Sequence, residues 1–218
     1  MNFVQYEDNI ILIVFESQLE LTKTMLRPQE FYESPEFKGK AFLLKDFKEW
    51  YKTTTPHKDF TYFSDWAGFN IPKKTLEDFI VRYVAANIPL SSREKTLIQL
   101  LGKLGFFDHE RGYFIAVYEI NPSTIRHELA HATYHVDEVY RREVSNILRC
   151  MSQPQYNLLR NTIMDKGYHQ DVVEDEMNSY LLDLHEDRNV KLDIPKDQYE
   201  EVAGQLAVVF SLHRKKML

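Results

Sequence analysis

Two histidines four residues apart, with a glutamate beside the first, make up the run His127-Glu128-Leu129-Ala130-His131. On a helix, residues i and i+4 share a face one turn apart, so both imidazoles can approach a single ion. Glu128, rotated by roughly 100° from His127, reaches a water beside that ion. Neutral imidazole nitrogens suit Zn²⁺, and zinc with a free coordination position polarises carbonyls and makes water acidic. Metal-assisted hydrolysis is the chemistry this spacing suits. Glu128 is the expected general base, taking a proton from the attacking water and passing it to a leaving amine.

Such residues need a helix held at a fixed place, and the flanking sequence supplies one. Tyr113 to Ile120 is rich in β-branched and aromatic residues and lacks Gly and Pro, which predicts a strand. Asn121 can cap the following helix, and Pro122 fits its first position, where no N–H is needed. No Pro or Gly occurs again until Pro154, so the helix is expected to run from Pro122 to the region of Arg141. Leu129, Ala130 and Ala132 are uncharged, as in a helix buried except for its ligands.

The strand, the capped turn and the His127–His131 motif together resemble the zincin metallopeptidases over roughly Tyr113 to Asp187. The resemblance implies an α+β fold in which a small sheet precedes an active-site helix and a second, ligand-bearing helix. It also implies zinc-dependent hydrolysis of a protein or peptide substrate, which an edge strand holds extended. A third ligand must complete the set. His135 is unsuitable, because three histidines at this spacing on a straight helix spread over roughly 12 Å. Asp137 occupies the third-ligand position of a metzincin-like pattern, but Tyr134 stands where those families turn at a Gly.

A helix predicted from Asp171 to Asp187 offers Glu176. At about 100° per residue, Val172, Val173, Met177, Tyr180, Leu181 and Leu184 form one apolar arc with Glu176 inside it. Asp175 is expected to point away, Glu174 lies at the rim, and Asp183 and Asp187 lie near the edge of the arc. A carboxylate on an apolar face must be paired or bind metal. The stretch Glu176 to Tyr180 looks like the second helix of gluzincins, which implies the metal ligands His127, His131 and Glu176. Tyr180 stands where several gluzincins have an Asp that orients a ligand histidine, which leaves that role open. By the same resemblance, Tyr168, His169 and Tyr180 are candidates to stabilise the oxyanion. His57, His109, His185 and His213 have no assigned partner.

The remainder of the sequence sets bounds. A chain of 218 residues, 44% hydrophobic and 13% aromatic, supports a substantial core and excludes disorder. We read residues 1–218 as a single metallopeptidase-like domain, with an N-terminal subregion 1–110 and a motif-bearing helical subregion 111–218. A formal charge of −6, with no basic stretch beyond the Arg214-Lys215-Lys216 tail, argues against nucleic acid as a partner. Cys150 is the sole cysteine, so disulfides and a cysteine zinc site are excluded. Ile10 to Phe15 is too short for a signal or membrane helix and reads as a strand, so a cytoplasmic protein without membrane association is expected, export by a dedicated machine aside. Helices are predicted at Leu44–Tyr51, Lys74–Ala86 and Ser92–Leu104, the last two opened by capping residues near Lys73 and Thr75 and at Ser91-Ser92. The aromatic stretch Phe60 to Pro72 reads as a loop packed over a core. The block Arg27 to Lys40 resembles only uncharacterised bacterial proteins and brings no function with it. Two other functions fit the residues: a non-catalytic zinc-binding or protein-interaction domain, and a zinc hydrolase of a non-peptide amide or ester.

Overall fold

The computed structural model describes residues 2–7, 9–54, 58–186, 192 and 194–214, with 2–7 described in backbone only. His57, Asp187, Lys215 and Lys216 lie outside them. The chain forms two compact units, Met1–Ile120 and Asn121–Leu218. The break falls after residue 120 and not near 110, because the strand at 113–117 belongs to the sheet of the first unit.

The first unit contains β1 (Asn2–Glu7), β2 (Ile10–Val14), α1 (Gln18–Glu33), α2 (Leu44–Thr54), α3 (Tyr62–Asp65), β3 (Gly68–Pro72), α4 (Lys73–Ala85), α5 (Ser92–Lys103) and β4 (Tyr113–Val117). The strands form one mixed sheet in the order β1-β2-β4-β3, with β2 and β4 parallel and the outer pairs antiparallel. The fold is therefore α+β, mostly helical with a small mixed sheet.

β4 corrects the expected edge strand. It lies between β2 and β3, so its ladder groups are already used on both sides, and all five of its residues are buried. Its unbroken apolar run suits an interior strand, whereas a half-exposed strand would alternate. It cannot receive an extended peptide.

Three predicted helices correspond to α2, α4 and α5, and α5 is opened by a Ser91/Glu94 capping box. α4 has no side-chain cap. Its Lys73 N–H instead donates to Gly112 O at 2.8 Å, a tertiary bond that sequence cannot foretell. α1 was not anticipated, because Pro28 lies inside it. The buried side chains of Leu21, Met25, Leu26 and Phe31 outweigh the hydrogen bond lost at the proline. Phe60 to Pro72 holds α3 and β3 where a loop was expected. Its aromatics do pack in the core, with buried Tyr62 against both Phe47 and Phe69.

Glu30 of α1 is half-buried, with the hydroxyls of Tyr62 and Ser34 beside its carboxyl, and desolvation pushes it up to about 7 from 4.5. A carboxyl whose folded value is raised favours the fold when protonated. That contribution is present below about pH 4.5 and is lost as pH rises to about 7. Glu30→Gln is expected to raise stability at pH 8 by roughly 1–3 kcal/mol and to flatten this part of the profile. Urea unfolding of both proteins at pH 5 and pH 8 checks it; parallel profiles would remove Glu30 as the cause.

The second unit is helical: α6 (Pro122–Val136), α7 (Glu138–Arg149), α8 (Gln153–Met164), α9 (Val173–His185) and α10 (Glu200–His213). α9 is central, packing against α6, α8 and α10. Its buried Met177, Leu181 and Leu184 line the core with Leu129, Tyr140, Leu159 and Phe210. None of the described helices is long and apolar enough to cross a membrane.

Candidate metal centre

α6 begins as its sequence predicts. Asn121 Oδ1 accepts the Ser123 N–H at 2.9 Å, and Pro122 takes the first position. It ends at Val136, five residues short of Arg141, because Asp137 caps α7. Asp137 Oδ1 accepts the N–H groups of Val139 and Tyr140 at 2.9 and 3.0 Å, and its Oδ2 lies 2.6 Å from His213 Nδ1. Both oxygens are committed, which removes Asp137 as a third ligand and with it the metzincin-like alternative.

α9 starts two residues later than predicted, after a 3₁₀ turn at Gln170–Val172. Glu174, Asp175 and Glu176 fill its first turn, where the helix dipole favours negative charge. Glu176 is 3% exposed, as expected from the apolar arc.

α6 and α9 run antiparallel and bring His127, His131 and Glu176 together. One donor atom from each lies within 4.8 Å of the others, the sole such group of three among the described residues. The two Nε2 atoms are 3.3 Å apart, and Glu176 Oε1 is 3.8 Å from His131 Nε2. Donors about 2.1 Å from a tetrahedral zinc are about 3.4 Å from one another, so these separations suit that ion. Glu176 Oε2 is buried without a hydrogen-bond partner, an arrangement that costs energy unless a cation or proton satisfies it. The donor set therefore fits zinc.

The outer nitrogens of both imidazoles are held by carboxylates from α9. His127 Nδ1 bonds Asp183 Oδ2 at 2.8 Å. His131 Nδ1 lies 2.9 Å from Asp175 Oδ1, without the alignment of a full hydrogen bond. With Nδ1 protonated and facing a carboxylate, each Nε2 presents its lone pair to the other ligands. Asp183 fills the orienting role left open at Tyr180: seven residues beyond Glu176, it returns to nearly the same helix face. Asp175 was expected to point away. It reaches His131 because that histidine sits between two adjacent carboxylates, Asp175 at Nδ1 and Glu176 at Nε2.

The electrostatics follow from this crowding. Burial opposes charge on His127 most strongly, but its bond to Asp183 and the charges of Glu128 and Asp183 together outweigh it and raise its pKa. Burial likewise opposes charge on His131, and Asp175 and Glu176 together raise it well above the usual value. Burial drives Glu176 upward. Without a cation the site therefore holds protons, which an incoming metal must displace.

Glu128 is 6% exposed, and its charge acts on His127, His131 and Glu176. The Tyr180 ring packs edge-on against His127 at 5.4 Å, and its hydroxyl lies 3.3 Å from that of Tyr168. These two tyrosines thus stand beside the donors. His169 does not join them: its Nδ1 accepts the Asp171 N–H at 3.3 Å and caps the 3₁₀ turn.

Asp183→Asn keeps the size of the side chain and removes its charge. It is expected to weaken zinc binding by about 10–100-fold, as measured by competition with a chromogenic chelator. Unchanged affinity would deny Asp183 its orienting role. No family model, curated protein or solved structure matches this chain.

Proposed function

We propose that the second unit is a zinc hydrolase site acting on an amide bond, with a peptide as the first substrate to test. The observation that carries this reading is the convergence of His127, His131 and Glu176 at separations suited to one ion, with both outer imidazole nitrogens held by carboxylates. Zinc held by these three residues would supply Lewis acidity toward a carbonyl and a water that ionises near neutrality.

The protein's own groups divide the remaining work. Asp183 and Asp175 favour the imidazole tautomer that leaves each Nε2 free to bind a metal, so both Nε2 atoms would be available to the ion. Glu128 takes the proton released as water attacks and returns it to the leaving amine. Burial, with the charges of Glu176, Asp183 and Glu128, pushes the Tyr180 hydroxyl up to about 12, so it remains a hydrogen-bond donor through the neutral range. It is the group on this unit best suited to support negative charge developing on the carbonyl oxygen, with Tyr168 orienting it.

The interior position of β4 favours a second reading. With no free edge on that strand, the expected means of holding an extended peptide is missing there, and the site chemistry serves a compact amide or ester equally well.

Metal analysis by inductively coupled plasma mass spectrometry, on untagged protein purified without added zinc, tests the proposal. About one zinc per chain supports it. No zinc after dialysis against the ion would overturn it and make the histidines structural. Turnover of peptide and ester panels by the loaded protein then separates the two substrate readings.

A further inference from the structure

The last turn of α10 meets the joint between α6 and α7 through an arrangement unrelated to the metal donors. His213 Nδ1 lies 2.6 Å from Asp137 Oδ2, and His213 Nε2 lies 3.1 Å from Glu143 Oε2, so each ring nitrogen faces a carboxylate. The Tyr140 ring packs on the imidazole at 5.5 Å. Beside it, the buried Arg214 donates from Nε to Thr133 Oγ1, two residues beyond His131 on the motif helix. Asp137 is also the cap that starts α7.

An imidazolium donates from both nitrogens and satisfies two carboxylates at once. A neutral imidazole donates from one only, and its other nitrogen then directs a lone pair at a carboxylate. We propose that His213 is a proton-operated clasp that ties the end of α10 to the α6–α7 joint when charged and releases one of the two carboxylates when neutral. The charged and titratable groups around its ring are Asp137 at the joint, Glu143 and Tyr140 on α7, and Arg214 on its own helix. α9 also packs on α10, and the groups that set the charge of this ring are Asp137 and Glu143. Burial works against the charged form, and the bonds to Asp137 and Glu143 outweigh it, raising the histidine above 6.5. A raised histidine contributes stability that is complete below about pH 6.5 and declines as pH passes its folded value. Because the clasp closes on the joint where α6 ends, its release also loosens the support of the helix that carries His127 and His131.

Two measurements on the full chain test this independently of zinc or hydrolysis. In wild-type protein, the His213 Cε1–H resonance, assigned by its loss in His213→Gln, should titrate with a midpoint above 6.5 and move downward in Glu143→Gln. Between pH 6 and pH 9, the thermal midpoint of wild type should fall by about 3 °C more than that of His213→Gln. A His213 midpoint at or below 6.5, or parallel pH profiles in the two proteins, would overturn the clasp. The NMR arm stands on the wild-type protein and on Glu143→Gln, at a half-exposed position, even where His213→Gln folds poorly.

Discussion

Glu128→Gln is expected to bind zinc as the wild type does and to lose about 10²–10⁴-fold in kcat/KM. Glutamine has the shape of glutamate and can still hold water by a hydrogen bond, but it takes no proton at neutral pH. Glu128 is not among the three donors that converge on the candidate site, so its replacement leaves the ligand set intact. The loss should therefore fall on turnover, with the zinc content of the variant unchanged. Wild-type rates in the variant would remove Glu128 as the base. Loss of zinc alongside activity would show that it acts on the metal site itself. The experiment reads two properties, and the proposed mechanism requires them to separate.

Glu176→Ala should do the opposite. Removing a direct ligand is expected to weaken zinc binding by more than the roughly 10–100-fold typical of an outer carboxylate. It should also abolish the rise of roughly 5–10 °C in thermal midpoint expected for the wild type when zinc is at a hundredfold excess over Kd. The metal-free proteins discriminate further. A buried carboxylate that holds the structure together costs several kcal/mol to remove, about 3–5 where it belongs to a buried ion pair. Glu176 has one oxygen 3.8 Å from His131 Nε2, and its other oxygen is buried with no hydrogen-bond partner, so its truncation gives up a long contact and removes an unfavourable buried group. The metal-free variant should therefore melt no lower than the metal-free wild type. A variant that melts much lower without metal would assign Glu176 to the core and not to a ligand set.

Much of this arrangement was legible in the sequence because it depends on helical periodicity. His127 and His131 are one turn apart wherever their helix lies, and Asn121-Pro122 marks where that helix begins. Glu176 stood out as a carboxylate among Met177, Tyr180 and Leu181. Asp183 lay near the edge of the same arc, but so did Asp187, and periodicity alone does not rank the two; Asp175 was placed on the opposite side and reaches His131 all the same. Tyr180 is beside His127 as its place on the arc suggested, whereas His169 caps a turn.

What failed in the reading failed where a distant part of the chain decides. The zincin resemblance implied that Tyr113 to Ile120 is an edge strand, whereas β2 and β3 flank β4 through pairings far apart in sequence. α1 survives Pro28 because its apolar face is buried against the rest of its unit. Asp137 is a cap and a partner of His213, an assignment that depends on α10 returning to the α6–α7 joint 76 residues later.

By itself, then, the sequence determined the local chemistry: the motif helix, its cap, and the helix whose apolar arc carries an acid. Only the tertiary structure decided which carboxylate each histidine meets, since antiparallel packing of α6 on α9 pairs His127 with Asp183 and His131 with Asp175 and Glu176. The physical reason is that backbone periodicity sets the face on which a side chain lies, whereas its partner is set by how two such faces pack.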